Sequence, residues 1–246
     1  MQTLTSRHNP LYKELTALKK DKGVMLLEGK RLVADALARG IKPRMVAISQ
    51  GFDEVQSLSL PPDAVMSDKL FESICETEAP QGVLAFFQIP WAGMEEIMEQ
   101  ERVVILDGLQ DPGNVGTIVR TAEAFGFSGM IILEGTASPF SGKAVRASMG
   151  SCLGIRIARC AIEDLRNIPH RIIALMAQGR NKLSSGLFDS KVAICFGQEA
   201  EGISKEILDI SYDTVSIPMK GATESLNVAV AAGIVMACAA GVLVDR

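Results

Sequence analysis

Six short, continuous apolar runs follow one another along the second half of the chain, separated by stretches with helical spacing. Strands that are apolar along their whole length are typical of parallel sheets, because helices cover both faces of such a sheet. The runs are "RVVIL", "GMIIL", "IRIAR", "RIIALMA", "VAICFG" and "TVSIPM". We therefore predict an α/β fold with a parallel sheet over residues 101–246.

The N-terminal part of the chain has a different organisation. Apolar runs "VMLLEG", "RMVAIS" and "GVLAFFQ" accompany a helix-like segment, "KRLVADALARG", which Gly40 closes as a C-terminal cap. A Pro/Gly turn that runs into an acidic helical segment, "IPWAGMEEIMEQE", comes after them. These patterns predict a small α/β domain over residues 1–90, followed by a second domain over residues 101–246.

The run "RVVIL" leads into a glycine-rich turn, "LDGLQDPGNVGTIVRTAEAFG", of the kind found in phosphate-binding loops. Gly108 and Gly113 have the separation of a Walker loop. However, Asn114 and Val115 stand where that loop needs Lys and Ser or Thr. Of the dinucleotide-binding pattern, only the last spacing, Gly113 to Gly116, is present. The turn is therefore not a Walker loop, and a nicotinamide-dependent enzyme remains a poor alternative.

Three polar, glycine-containing turns follow predicted strands and should lie at one edge of the sheet. They are Asp107–Gly116 with Arg120 beyond it, "GQEAEGIS" and "MKGATESLN". In open parallel sheets, ligands bind beyond the carboxyl ends of the strands. A pocket built there largely from backbone amides and carbonyls suits an adenine and a ribose. Each turn taken alone is also compatible with an ordinary helix cap.

The net charge of −4 conceals an uneven distribution along the chain. Residues 1–50 hold ten Lys or Arg and four Asp or Glu, whereas residues 51–101 hold one and eleven. A second basic segment, residues 143–182, has eight basic and two acidic residues. Such clusters can follow a phosphate backbone or can be solvated helix faces, and charge alone does not decide between the two.

The cysteine and histidine content argues against metal and disulfide chemistry. Five widely scattered cysteines, without a Cys-x-x-Cys pair, predict reduced thiols, not a disulfide framework or a zinc site. The two histidines of the sequence are His8 and His170, which we predict to be surface or loop residues. We therefore expect no metal site and no hydrolytic triad.

The stretch Leu226–Val244, "LNVAVAAGIVMACAAGVLV", approaches the length of about 20 apolar residues that spans a bilayer. Small residues dominate it, no aromatic or basic anchor precedes it, and it begins inside the polar turn "KGATES". We predict a helix buried on nearly all sides in a globular core or a subunit interface. Because the N-terminus has no apolar signal region, we expect a cytoplasmic protein and no membrane partner.

Together, "DPGNVGTIVRTAEAFG", "FGQEAEGIS" and "IPMKGATESLNVAVAAG" resemble the three motifs of the SpoU/TrmH branch of the SPOUT methyltransferases. "KAVRASMGS" is similar to a further family segment between the first two, and the order and spacing match over residues 101–246. More loosely, residues 1–90 resemble the L30e-like RNA-binding domain through "NPLYKEL", "LLEGKRLVADAL" and "TEAPQGVLA". The resemblance implies a deep trefoil knot in the second domain, which general fold rules treat as an exception.

The resemblance also implies an activity, namely methyl transfer from S-adenosylmethionine to a ribose 2′-hydroxyl of RNA. The L30e-like domain favours ribosomal RNA as the partner, and the family's active sites imply a homodimer whose interface includes the Leu226–Val244 helix. Two alternatives stay open. One is a tRNA 2′-O-ribose methyltransferase, and the other is an RNA-binding protein of the same fold that lacks transfer activity.

Carried over by position, the resemblance assigns residues to two roles. The cofactor pocket is expected to be lined mainly by backbone atoms of Gly197, Ile217 and Leu226. The residues expected around the reacting groups are Asn114, Arg120, Glu199, Ser225 and Asn227. A guanidinium with a pKa above ~12 is a poor base, so we expect Arg120 to clamp phosphate and stabilise charge. Glu199 and Ser225 are alternatively helix-start caps.

Overall fold

The computed structural model describes residues 3–55, 58, 60–188, 191–198, 201–223 and 225–243. The chain divides into two units, each with its own sheet and its own hydrophobic core. The first unit comprises residues 1–89 with 140–142, and the second comprises residues 90–139 and 143–246.

The first unit has a four-stranded mixed sheet in the order β1-β4-β2-β3. Strand β4 is antiparallel to β1 and β2, whereas β2 and β3 are parallel. A small α/β arrangement was predicted here and is confirmed, but the short strand β3 was not predicted. The elements are α1 (Pro10–Lys20), β1 (Val24–Glu28), α2 (Lys30–Ala38), β2 (Pro43–Ser49), β3 (Ala64–Met66), α3 (Asp68–Ile74) and β4 (Val83–Gln88).

Local sequence explains how two of these helices begin and end. The Asn9 side chain accepts a hydrogen bond from the Leu11 N–H at the start of α1. Pro10 is the first residue of the helix, where a backbone N–H would have no helical partner, so its missing N–H leaves no hydrogen bond unmade. Gly40 follows α2 with a φ of 76°, and its N–H donates to the carbonyl of Leu37. The predicted glycine cap is therefore confirmed, because a left-handed residue ends a helix at least cost when it lacks a Cβ.

The second unit has a seven-stranded sheet in the order β7-β6-β5-β10-β8-β11-β9, and all its neighbouring strands are parallel. The predicted parallel sheet is confirmed, and each of the six apolar runs contains a strand. The trefoil knot stays a prediction. The elements are α4 (Met94–Met98), β5 (Arg102–Asp107), α5 (Pro112–Ala124), β6 (Gly129–Ile132), α6 (Gly142–Ser148), β7 (Arg156–Arg159), β8 (Arg171–Leu175), β9 (Asn181–Lys182), β10 (Val192–Gly197), α7 (Lys205–Ile210), β11 (Asp213–Ser216) and α8 (Val228–Ala239).

The central strands show why their sequences lack alternation. In β5, residues 103–106 are all completely buried, and in β10 residues 192–195 are too. Side chains on both faces of these strands are therefore removed from water. Each fully buried Val, Leu or Ile side chain contributes about 1.5–3 kcal/mol, so the burial of this layer contributes strongly to the stability of the unit.

Helix α8 is shorter than the predicted Leu226–Val244 helix, because local signals set both of its ends. The Asn227 side chain caps its start. At its end, Gly241 has a φ of 72° and the Val242 N–H donates back to the carbonyl of Ala237. Nine of its twelve residues are buried, as predicted for a helix within a core. Within the described ranges, no helix has the length and apolar character of a membrane span.

Candidate functional site

A pocket of about 650 Å³ lies at the carboxyl ends of β8, β10 and β11. This volume falls within the range of small-molecule sites, about 300–1,000 Å³. The pocket brings together two of the three turns that were expected at one sheet edge. Five of the residues singled out from the sequence line it, namely Gly197, Ile217, Ser225, Leu226 and Asn227.

A second cavity, of about 470 Å³, lies near Arg102 at the start of β5 and Gly241 beyond the end of α8. It is on the amino side of the sheet, and none of the predicted site residues lines it. The pocket beside Gly197 is therefore the candidate site, because ligands of parallel sheets bind at the carboxyl ends of the strands.

Gly197, the last residue of β10, has no room for a side chain. A Cβ placed there would lie 2.2 Å from the carbonyl oxygen of Gly202 and 2.5 Å from the backbone nitrogen of Ile203. The next residue, Gln198, forms paired backbone hydrogen bonds with Gly202, which fold the turn back against the strand. Glycine at this position therefore lets the floor of the pocket close tightly.

Asp107, at the end of β5, anchors the same turn from the neighbouring strand. Its register partner in β10 is Gly197, and its carboxylate accepts a hydrogen bond of 2.7 Å from the Ser204 N–H just before α7. The carboxylate is buried. Asp107 was predicted to lie in a polar turn, and no role was predicted for it. Its position at the end of an apolar strand was the available signal.

The pocket wall offers both apolar surface and unused polar backbone. Ile217, Met219 and Leu226 supply apolar side chains, and Leu226 is 37% exposed at the rim. Met219, Ser225 and Leu226 make no hydrogen bond with any other residue that the structure describes. Their amide and carbonyl groups are available to a ligand, which fits the adenine and ribose expected from the sequence.

Asn227 connects this pocket to helix α5. Its Oδ1 accepts hydrogen bonds from the N–H groups of Ala229 and Val230, at 2.9 and 3.3 Å. These caps leave its Nδ2 to donate to Oδ1 of Asn114, at 3.2 Å. Asn114 lies in the first turn of α5. Two of the predicted residues, 113 positions apart, are thus in direct contact.

Arg120 lies in the same helix as Asn114, about 9 Å further along the axis at 1.5 Å per residue. Its side chain is exposed, and it has no ion-pair partner in the part of the chain that the structure describes. A free guanidinium on this surface is available to an anionic group such as a phosphate. Glu199 and its neighbour Ala200 lie outside the described residues. The expected place of Glu199 among the residues around the reacting groups therefore stays a prediction.

The start of α5 is not a phosphate-binding loop. The Asp111 side chain accepts a hydrogen bond from the Gly113 N–H, and Pro112 occupies the first helical position. Lys143 of α6 forms an ion pair with the same carboxylate. A negative side chain already occupies the positive end of the helix, where a bound pyrophosphate would sit. This geometry weighs further against the nicotinamide alternative.

We expect Asp111→Ala to destabilise the second unit, because it removes both the cap of α5 and the partner of Lys143. Asp111→Asn keeps an acceptor oxygen for the cap and should retain most of the stability. The Lys143 hydrogen bond, followed by the Gly113 N–H, lowers the pKa of Asp111 from its ordinary 3.8. Its contribution is therefore present above that value and is lost as pH falls through the lowered pKa. Urea denaturation of the three proteins at pH 7 and at pH 3 tests this, and equal midpoints would contradict it.

The histidines and cysteines do not form a reactive centre. His8 is exposed as predicted. His170 lies in the loop just before β8, as the prediction of a surface or loop residue allows, but the residue is only 6% exposed. Its Nε2 donates to the carbonyl of Gln100, at 2.7 Å, and burial lowers its pKa. Burial also raises the pKa of Cys75 to about 12 and that of Cys160 to about 11. Across the described ranges, no three His, Cys, Asp or Glu residues are arranged to hold a metal ion.

The second basic segment, residues 143–182, does not form one uniform patch. Lys143 pairs with Asp111, and Arg156 pairs with Glu96 at 3.2 Å. The guanidinium of Arg159 stacks over Trp91, 4.2 Å from the ring centroid, and Arg171 lies over Tyr212. Lys182 also donates to the Ser216 hydroxyl at 3.4 Å. At least five of the eight basic side chains in this segment thus have partners within the protein, which weakens the expectation of a single phosphate-binding surface.

Comparison with known proteins agrees with this geometry. Residues 101–237 match the SpoU rRNA Methylase family, and residues 9–85 match the MRM3-like substrate binding domain. RlmP of Bacillus subtilis, a 23S rRNA (guanosine(2553)-2′-O)-methyltransferase, is 31% identical over 96% of this chain and 98% of the relative. A 23S rRNA (adenosine(1067)-2′-O)-methyltransferase of Streptomyces laurentii is 33% identical over 70% and 67%. The structure of an AdoMet-bound rRNA methyltransferase from Sinorhizobium meliloti superimposes with a TM-score of 0.84, at 31% identity over 99% of each chain.

Proposed function

Because the chain belongs to the SpoU rRNA methylase family and is an RNA methyltransferase, we propose that it transfers a methyl group from S-adenosylmethionine to a ribose 2′-hydroxyl of ribosomal RNA. The observation that carries the proposal is the contact between Asn227 and Asn114. It joins the pocket at the sheet edge to the helix that bears Arg120.

The names of the relatives support the position of methylation on the ribose. The Bacillus subtilis relative is named for a guanosine and the Streptomyces laurentii relative for an adenosine, but both are named for the 2′-oxygen of 23S rRNA. The group shared by these two nucleosides is the ribose. We therefore assign the 2′-hydroxyl as the acceptor and assign no particular base.

The pocket residues fit S-adenosylmethionine. Gly197 lets the backbone of Gly202 pack against the end of β10, and Ile217 and Leu226 offer apolar contacts to an adenine. The backbone groups near Met219 and Leu226 are available as hydrogen-bonding partners for ring nitrogens and ribose hydroxyls. When bound, S-adenosylmethionine supplies a methyl group on a positively charged sulfur, which is already a strong electrophile.

The protein then has mainly to position the ribose and to assist the loss of its proton. We assign phosphate binding and charge stabilisation to Arg120, because a guanidinium with a pKa above ~12 stays protonated. Asn114 and Asn227 orient the start of α5 through their mutual hydrogen bond. Ser225 and Glu199 remain proposed site residues on the strength of the family resemblance.

Radiolabelled S-adenosylmethionine tests the proposal with purified ribosomal RNA and transfer RNA as separate substrates. A 2′-O-methyl group makes the adjacent phosphodiester resistant to alkali, so label in alkali-stable dinucleotides from ribosomal RNA is the expected result. Label in transfer RNA alone would favour the tRNA alternative. Binding of RNA and cofactor without transfer would favour the non-enzymatic alternative, and label on a base would contradict ribose methylation.

We further propose that the protein is a homodimer through the outer face of α8. Val230 is 54% exposed on this helix, and Val242, just beyond it, is 62% exposed. Large apolar side chains that stay exposed near both ends of an otherwise buried helix are consistent with a subunit interface. We expect sedimentation at micromolar concentration to give twice the 26.3 kDa of the chain, and Val230→Glu to shift it to monomer. A wild-type monomer would contradict the proposal.

A further inference from the structure

The sheet of the first unit has two edges with opposite charge. Strands β1 and β2 begin at one edge, which we call the amino edge, and α1 and α2 end there. Its loops, residues 20–23, 39–44 and 61–63, hold five basic residues against two acidic ones. The basic residues are Lys20, Lys22, Arg39, Lys42 and Arg44, and the acidic ones are Asp21 and Asp63.

The opposite, carboxyl edge has an excess of acid. Its described loops, residues 5–8, 28–31, 49–55, 67–69 and 76–82, hold four basic and six acidic residues. Two of the basic ones are also paired, Lys30 with Glu54 and Arg31 with Asp35. An RNA backbone brings a dense negative charge, so it would be repelled by this edge and attracted by the amino edge.

Lys19 belongs to the same basic run as Lys20 and Lys22, but its side chain binds within the protein. Its Nζ donates to the backbone carbonyls of Ile74 and Cys75 at the end of α3, at 2.5 and 3.3 Å. The N-terminal basic cluster seen in the sequence therefore contains two kinds of lysine. Only those that extend into solvent are available to a partner.

The lysines of the amino edge extend into solvent and are available to a partner. Lys20, Lys22 and Lys42 are exposed, and none of their side chains makes a hydrogen bond or ion pair with another described residue. The sheet also holds them near one another. The Arg44 guanidinium reaches Asp21 at 3.5 Å, and the Gln88 side chain, at the end of β4, donates to the carbonyl of Gly23.

We propose that the amino edge of the first unit, with Lys20, Lys22 and Lys42 at its centre, binds the phosphate backbone of the RNA substrate. This inference rests on the proposed function for the identity of the RNA. Lysine ammonium groups are point charges that contact phosphates without reading bases, so the edge contributes affinity and orientation. Selection of a particular nucleotide must come from other contacts.

Two charge-matched triple variants test the edge. Lys20→Ala/Lys22→Ala/Lys42→Ala removes three positive charges from the amino edge, and Arg7→Ala/Arg31→Ala/Lys69→Ala removes three from the carboxyl edge. Binding is measured by fluorescence anisotropy of a labelled RNA hairpin at several KCl concentrations, without cofactor. We expect the first variant to bind about tenfold or more weakly at low salt, with a salt dependence flatter by roughly one unit of slope per lost contact. The second should stay within about twofold of wild type.

Equal affinity of wild type and the amino-edge variant would overturn the inference, as would an equal loss in the carboxyl-edge variant. Lys22→Glu, a single exposed change, gives a second measurement if the triple variant unfolds, and it should weaken binding more than Lys22→Ala. Methyl transfer is followed in the same proteins. If the wild type transfers methyl groups and the amino-edge variant keeps its RNA affinity, only the inference about the edge fails. If the wild type shows no transfer but the amino-edge variant still binds RNA more weakly, only the proposed function fails.

Discussion

Arg120→Ala is expected to lower methyl transfer by about 10²-fold or more, the scale for losing one preorganised charge-stabilising group. The side chain is exposed on α5 and has no ion-pair partner among the described residues. Its removal therefore leaves no buried charge behind, and the fold should be unaffected. Calorimetric affinity for S-adenosylmethionine should barely change, because Arg120 does not line the pocket.

Two further variants separate the possible roles of this side chain. Arg120→Lys should rescue little activity if the planar, bidentate fork of the guanidinium holds a phosphate, because an ammonium is only a point charge. Full rescue would show that charge alone is sufficient. Arg166→Ala, an exposed arginine in the turn Ile162–Asn167, serves as the control and should retain normal turnover. Near-normal turnover of Arg120→Ala would remove Arg120 from the mechanism.

The sheet of the second unit was predictable because burial on both faces leaves a continuous apolar signal. The strands that were missed carry no such signal. Strand β9 consists of Asn181 and Lys182, which are exposed and polar, and it exists because the edge of β11 pairs with it. Strand β3 has three residues, too few to show a period. In both cases the neighbouring backbone, not the side chains, makes the strand.

The candidate site was predicted only in part, and there is a physical reason why some of its residues were predicted and others were not. Residue types at strand ends indicated a ligand edge, and the resemblance selected the residues that line the pocket, such as Gly197 and Leu226. The hydrogen bond from Ser204 to Asp107 spans 97 positions and depends on the order of strands in the sheet. Local sequence patterns do not reveal the order of strands in a sheet. The burial of the loop residue His170 was not predicted for a similar reason, since its partner, the Gln100 carbonyl, is 70 positions away.

The charge pattern was informative only after the fold separated its members. From the sequence, Lys19, Lys20 and Lys22 form one cluster. In the structure, Lys19 binds carbonyls at the end of α3, whereas its two neighbours stay in solvent and are joined by Lys42 from another loop. A run of like residues is thus not one functional unit, because neighbouring side chains leave the backbone in different directions.

The closest backbone approach in the candidate site gives the second large prediction, that Gly197→Ala disrupts cofactor binding. A methyl group at this position would meet the carbonyl oxygen of Gly202 at 2.2 Å and its carbonyl carbon at 2.3 Å. Both are backbone atoms held by the hydrogen bonds between Gln198 and Gly202, so they cannot move aside by changing a rotamer. Either the turn opens or the end of β10 shifts, and the pocket changes shape in both cases.

Overpacking of this kind costs about 1–3 kcal/mol, so calorimetry should show S-adenosylmethionine affinity falling by roughly 10- to 100-fold. Transfer at limiting cofactor should fall in parallel, whereas saturating cofactor should restore much of the rate, because Arg120 and α5 are untouched. Gly221→Ala is the matched control, since a Cβ at Gly221 would meet no atom of the described residues beyond its chain neighbours within 4 Å. Thermal unfolding distinguishes a reshaped pocket from a collapsed unit. An unchanged cofactor affinity in folded Gly197→Ala would show that the ligand does not use this end of the sheet, and would move the methyl-donor site elsewhere in the protein.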